Sequence, residues 1–205
     1  MEIRESFYSG AVYHICSKAN GHEILFRDEY DYKDFLQRYR SRMLESVETL
    51  AWIFLPNQFH LLVKVRTVDS DEQILEPRTN VSSDLSKVLN SYVQSHNKRH
   101  GRTGSLLNRS FRRKYIETED EFRNTICSFH HLPIAFGLTL TADNWPFSSY
   151  QYLLKSENLP SMIQLVIDKF GGQNAMANYH ESRLHVISEI LCPEGFGLAA
   201  KISPK

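Results

Sequence analysis

The fold is decided by the stretch ETLAWIFLPNQFHLLVKVR, residues 48–66. Apolar and β-branched residues dominate both halves, which predicts two strands, Glu48 to Leu55 and Phe59 to Arg66. The dipeptide Pro56-Asn57 between them is a turn signal. The stretch therefore predicts a β-hairpin, and the segments around it decide which kind of sheet the hairpin joins.

Outward from the hairpin, strands and helices alternate. Apolar spacing and capping signals predict a strand at Ala11 to Ser17, a helix at Asp28 to Met43, a helix from Ser82 or Ser83 to Gly101, a strand at Phe111 to Glu117, and a helix that opens with the capping box Thr118 to Glu121 and stops at Pro133. The order is β-α-β-β-α-β plus a helix. We therefore expect an α+β fold with a ferredoxin-like antiparallel sheet and its helices on one face.

The 205 residues suit one domain with an extension. We expect that domain to span residues 1–152 and a C-terminal helical extension with a loose tail to span 153–205. The polar, acidic stretch from Thr67 to Thr79 reads as a loop. A helix near Ser161 to Phe170, a break at Gly171-Gly172 and another short helix are expected within the extension.

The composition favours a cytoplasmic protein with no membrane partner. Three scattered cysteines form no C-x-x-C pair, which fits a reducing compartment. The start is acidic and lacks the apolar run of a signal peptide, and no apolar stretch is long enough to span a bilayer.

A formal net charge of zero conceals segregated charges. From Leu85 to Ile116 there are eight Lys or Arg residues and no Asp or Glu, whereas Glu117 to Glu121 carries four acids. Clustered cations attract phosphates and release counterions, although a solvated basic loop balanced by acids elsewhere is the alternative. The predicted nucleic-acid contacts are Lys98, Arg99, Arg102, Arg109, Arg112, Arg113 and Lys114.

Two histidine motifs suggest metal binding. Gln58 and His60 are two apart in a predicted strand, so they share a face and could flank a divalent cation, although a lone strand histidine is more often structural. His130 and His131 are adjacent on a predicted helix. They diverge by about 100° and could hardly hold one ion, so a structural role is favoured.

The chain also carries an opening with Tyr13-His14-Ile15, Ile24-Leu25-Phe26 and Asp31-Tyr32, followed by NKRHGRTGSL at 97–106 and WPFSSY at 145–150. In this order, these segments resemble the single-tyrosine HUH transposases, with the REP-associated tyrosine transposases as the nearest branch. The resemblance covers roughly residues 9 to 152.

The resemblance implies a strand-cutting site in which a helix tyrosine attacks a phosphodiester. Two histidines and an amide residue four after the tyrosine hold Mg or Mn. In this sequence Gln58 replaces the first histidine and only His60 remains. Ser128 stands where the tyrosine belongs and Leu132 where the amide belongs. We therefore expect no intact catalytic residue, and either no metal or weakly bound Mg or Mn at His60 and Gln58.

Three functions remain open at this stage. The first is a protein that binds DNA hairpins or single-stranded DNA, as a monomer or homodimer, and has lost cleavage. The second is an active nickase or transposase that uses another tyrosine, for which Tyr115, on a strand among Arg and Lys, is a better substitute than Tyr92 on an apolar stripe. The third is a protein-interaction module without a DNA role.

Overall fold

The computed structural model describes residues 6–67, 79–108 and 110–183. Nearly all of the loop expected at 67–79, Arg109 and the tail after Cys192 lie outside the described residues. The first elements are β1 (Val12–Lys18), α1 (Glu29–Met43), β2 (Val47–Leu55), β3 (Gln58–Val65), α2 (Thr79–Arg99), β4 (Arg112–Tyr115) and α3 (Glu119–Ala135). The predicted order of strands and helices is confirmed.

The four strands form one sheet in the order β2-β3-β1-β4. Strand β1 lies inside the sheet and pairs antiparallel with β3 on one side and with β4 on the other. Consecutive strands β2 and β3 form the predicted hairpin. This is the split β-α-β arrangement, so the α+β fold class is confirmed.

Cross-strand pairing divides the side chains of the sheet between two faces. Residues paired directly across strands point to the same face, and neighbours along a strand point to opposite faces. On β1, Tyr13 and Ile15 share one face, and His14 and Cys16 share the other. Because Ser17 pairs with Phe59, that ring belongs to the face of Tyr13. We call these the aromatic face and the histidine face.

Helices α1 and α2 pack on the aromatic face. The ring centroid of Phe35 on α1 lies 5.1 Å from that of Phe59 and 5.2 Å from that of Tyr92 on α2. All three side chains are fully buried. Burial of such rings drives this packing and leaves the opposite face of the sheet for polar chemistry.

Two helix ends differ from the prediction. Helix α2 begins at Thr79, before the expected serine caps, because buried Val81 extends its apolar stripe by one turn. Helix α3 begins as predicted, with the Glu121 N–H donating to the Thr118 hydroxyl at 3.1 Å. It continues past Pro133 to Ala135. The missing N–H of proline removes only one hydrogen bond near the end of the helix, so the last turn persists.

By internal contacts the chain forms two compact units, residues 1–50 with 54–116, and residues 51–53 with 117–205. The boundary expected after residue 152 stays a prediction. The second unit contains α4 (Tyr150–Lys155), which the sequence did not predict, α5 (Ser161–Asp168) and α6 (Gln173–Ser182). Gly171 and Gly172 have φ of 83° and 109° and make the predicted break. Among the described helices, none has the length and apolar character to cross a membrane.

Candidate nucleic-acid interface

The histidine face carries a compact cluster of His14, Cys16 and His60. Nε2 of His14 lies 3.0 Å from Nδ1 of His60, and the two rings stack with centroids 5.2 Å apart. The ligand atoms of all three side chains lie within 4.8 Å of one another. Cys16 and His60 are buried, and His14 is half-buried. The fold therefore gathers two imidazoles and a thiol where the sequence predicted His60 with Gln58.

Strand register explains the cluster. Cys16 pairs directly with His60, and His14 is two residues from Cys16 on the same strand. Burial raises the pKa of the Cys16 thiol to about 12. Burial also holds the pKa of His60 well below its usual value, with a smaller contribution from His14. Both groups are therefore neutral near pH 7 unless an ion displaces their protons.

The donor atoms present do not suit the Mg or Mn that the resemblance implies. Mg is held by oxygen ligands, and Mn shares that preference, whereas this cluster offers two nitrogens and a sulfur. Gln58 shares the histidine face with His60, as predicted, because it pairs with Lys18. Its amide oxygen is one neutral oxygen donor. No catalytic step through a metal follows from this donor set.

Ser128 and Leu132, at the expected nucleophile and amide positions, lie on α3 and are both buried. The Ser128 hydroxyl donates a hydrogen bond of 2.8 Å to the Thr125 carbonyl of its own helix. Leu132 offers no lone pair. The short alcohol is thus bonded to its own helix.

The structure does not favour either tyrosine that was considered as a substitute nucleophile. Tyr115 is partly exposed, but it pairs with Tyr13 and therefore projects from the aromatic face, opposite to His60. Tyr92 is buried, and its hydroxyl donates to the Leu25 carbonyl at 2.5 Å. The geometry gives no support to either phenol as a nucleophile served by His60.

At the end of α2, two of the predicted phosphate contacts are neutralised by acids. Arg99 binds Asp28 through two hydrogen bonds of 2.6 and 2.9 Å and binds Asp31 at 2.7 Å. Arg102 pairs with Glu23. Both acids of the Arg99 pair are contributed by the start of α1, far away in sequence. Residues 85–116 contain no acid themselves, but the fold brings acids from other parts of the chain to their arginines.

The remaining predicted cations divide by strand face. Arg112 pairs with Cys16 and Lys114 with His14, so both project from the histidine face. Arg113 projects from the aromatic face, where it donates to the Ser82 hydroxyl at 2.8 Å and lies over the Phe7 ring. Lys98 is exposed and has no ion pair with any described residue. Arg109 lies outside the described residues.

Two lysines complete a cationic frame around the histidine cluster. Lys18 pairs with Gln58, and Lys64 pairs with Val12, which places both on the histidine face. The frame spans three strands, and β1, β3 and β4 contain no Asp or Glu. We define the cationic frame as Lys18, Lys64, Arg112 and Lys114.

The second unit holds a separate polar chain. Nδ1 of His180 lies 2.7 Å from the Met176 carbonyl, which can only accept, so Nδ1 carries a proton. Nε2 of His180 then accepts from Nδ1 of His130 at 2.8 Å. Nε2 of His130 accepts from the Ser149 hydroxyl at 2.9 Å. Every ring nitrogen in this chain has a partner, and a structural role for His130 follows.

Comparisons with known proteins agree with the motifs. No family model matches the chain. A putative REP-associated tyrosine transposase of Haemophilus influenzae is 23% identical over 134 residues, which cover 62% of this chain and 75% of that protein. The solved structure of a REP-associated tyrosine transposase bound to a REP hairpin matches with a TM-score of 0.60 and 17% identity. That match covers 78% of this chain and 88% of the other.

Proposed function

Since the chain is related to the REP-associated tyrosine transposases, we propose that it binds DNA hairpins or single-stranded DNA and has lost strand cleavage. The observation that carries the proposal is the cationic frame, four cations on one face of three strands whose own sequences contain no Asp or Glu. We propose that the protein acts in the cytoplasm, as a monomer or a homodimer.

The cationic frame suits a phosphate backbone. Each cation that neutralises a phosphate releases counterions, which is the main sequence-independent source of nucleic-acid affinity. Arg112 adds the planar donor geometry that matches phosphate oxygens. Arg99 binds Asp28 and Asp31, and Arg102 binds Glu23, so we assign these two arginines to holding the start of α1 and the segment before it against the end of α2.

Loss of cleavage rests on chemistry at three positions. Ser128 is too short by roughly 4 Å to replace a tyrosine, judged from ordinary bond lengths. A misplacement of about 1 Å can already cost on the order of 100-fold in rate. Leu132 cannot bind a metal, and Gln58 provides only a neutral donor. Binding without cutting follows from the cationic frame together with the altered residues at these three positions.

Binding is tested by titrating a labelled DNA hairpin with single-stranded flanks at several salt concentrations. Changing Arg112 and Lys114 to Gln removes two cations from the frame. The matched control changes Lys33 and Lys87, which pair with acids on α1 and α2, to Gln. We expect the first variant to weaken binding at least about 10-fold and to reduce the salt slope by roughly 1.5 to 2. Equal affinities for the two variants would contradict the proposal.

Cleavage is tested separately by incubating the wild-type protein with the same hairpin and Mn²⁺ or Mg²⁺, followed by a denaturing gel. We expect no covalent adduct. An adduct that disappears in Tyr115→Phe would establish the nickase alternative. An RNA hairpin run beside the DNA shows which nucleic acid the cationic frame prefers, and binding of neither supports a protein-interaction role.

A further inference from the structure

A second group of potential metal ligands lies in the first unit, away from the histidine face. It consists of Asp31 on α1 and of His96 and His100 at the end of α2. The two histidines are four residues apart, so they project from the same side of the helix. Their ring centroids are 4.4 Å apart, and the ligand atoms of the three residues lie within 4.8 Å of one another.

His96 is an unusual member of this group. Its side chain is 1% exposed, yet neither ring nitrogen has a hydrogen-bond partner among the described residues. Buried imidazole nitrogens nearly always bond to something, because an unmade bond there costs the full desolvation of the group. Nε2 of His96 lies 3.7 Å from Oδ2 of Asp31, too far for a hydrogen bond.

We propose that Asp31, His96 and His100 form a site for a Zn²⁺-class transition-metal ion. Zn²⁺ bonds of about 2.0–2.1 Å in a tetrahedron separate the ligand atoms by about 3.3 Å. Oδ2 of Asp31 lies 3.1 Å from Nε2 of His100 and 3.7 Å from Nε2 of His96, on either side of that value. A shift of the His96 ring towards Asp31 would bring this pair to the tetrahedral separation, and the ligand atoms of all three residues already lie within 4.8 Å of one another.

The surrounding hydrogen bonds leave the needed oxygen accessible to an ion. Arg99 binds Oδ1 of Asp31, whereas Oδ2 accepts a backbone N–H from Arg27 at 2.9 Å and lies 3.1 Å from Nε2 of His100, a contact that a bound ion would replace. The charge of Arg99 is shared with Asp28, so Asp31 is not fully neutralised. Three protein ligands leave a fourth position open, and His100 is the most exposed of the three, so water fills that position from the His100 side.

The site ties the start of α1 to the end of α2. We therefore expect the bound ion to fix the segment that leads into Gly101, whose φ of 61° begins the following loop. This inference does not depend on DNA binding, and no residue of the cationic frame takes part in it.

The test uses the metal alone with the full-length protein, freed of ions by a chelator. Zn²⁺ is titrated by calorimetry, and Co²⁺ is added to record the visible absorption of a tetrahedral complex. We expect His96→Leu to weaken ion binding at the site by at least about 100-fold, since losing an outer-shell contact alone costs 10–100-fold. The Co²⁺ spectrum should disappear with it.

Two control variants separate this site from other histidines. His22→Gln removes an exposed histidine, and Cys16→Ser alters the cluster on the histidine face. Both should retain the ion that His96→Leu loses. Binding that survives His96→Leu but is lost in Cys16→Ser would place the ion on the sheet and overturn the proposal. The proposal would also be overturned if the wild-type protein bound no Zn²⁺ at a concentration on the order of 10⁻⁴ M.

Discussion

Two buried histidine groups in this protein have opposite hydrogen-bond status. In the chain of Ser149, His130 and His180, each ring nitrogen has one partner at 2.7 to 2.9 Å. In the group of Asp31, His96 and His100, the most buried ring has none among the described residues. A complete network indicates a structural role, because nothing more can bind to it. An incomplete one indicates a site that gains stability from a ligand.

The largest expected effect is the response of the complete network to acid. Burial lowers the pKa of His180 to about 4 and holds that of His130 well below its usual value. The unfolded chain takes up protons near pH 6.5 while the folded protein does not, so stability is full above pH 6.5 and falls as the pH drops towards 4. His180 alone should remove on the order of 2 kcal/mol between pH 6.5 and 4.5, and His130 adds a further loss of the same sign.

Urea unfolding at a series of pH values measures this effect. The free energy of unfolding of His130→Leu should change less steeply with pH than that of the wild type, by up to about 1.4 kcal/mol per pH unit. If the free energy of unfolding changed equally with pH in the variant and in the wild type, His130 would be charged in the folded protein. That result would contradict the proton assignment made from the Met176 carbonyl.

The same substitution in the two groups gives the next largest contrast. His130→Leu removes one buried hydrogen bond from Ser149 and one from Nε2 of His180, and it should lower the free energy of unfolding by about 3 kcal/mol at pH 7.5. In metal-free protein, His96→Leu removes two unsatisfied nitrogens and should change that free energy by less than about 1 kcal/mol. Urea unfolding of both variants in the presence of a chelator checks this contrast. An equal loss in the free energy of unfolding of the two variants would contradict it.

The smallest effect is expected at the far end of the complete network. The Ser149 hydroxyl accepts from the Trp52 backbone N–H at 3.0 Å as well as bonding to His130. Ser149→Ala should lower the free energy of unfolding by about 1.5 kcal/mol, measured in the same way. Ser148→Ala is the matched control, because the one bond of the Ser148 hydroxyl within the described residues is local, from the Tyr150 backbone N–H, and a smaller loss is expected there.

The sequence predicted the fold because its signals are local. The hairpin around Pro56-Asn57, the capping of α3 by Thr118 and the break at Gly171 each depend on a few adjacent residues. The two errors at helix ends are also local, since the buried stripe of α2 extends further than its serines suggest, and α3 tolerates Pro133 near its end.

The candidate sites were predicted less completely because they depend on pairs of residues far apart in the chain. His14 and Cys16 join His60 only once the strand register is known, although their alternation along β1 was a usable signal. The acids that neutralise Arg99 are about 70 positions away. The four-residue spacing of His96 and His100 is a metal-ligand signal that was visible in the sequence.

Strand β4 has a consequence for handling the protein. It is four residues long, lies at one edge of the sheet and carries three consecutive cations. Edge strands expose unpaired backbone groups to other chains, and short, charged edges discourage such pairing. The side chains assigned to phosphate recognition therefore also keep separate molecules from joining edge to edge. Variants that neutralise Arg112 and Lys114 should aggregate more readily, so their binding is best measured at low protein concentration.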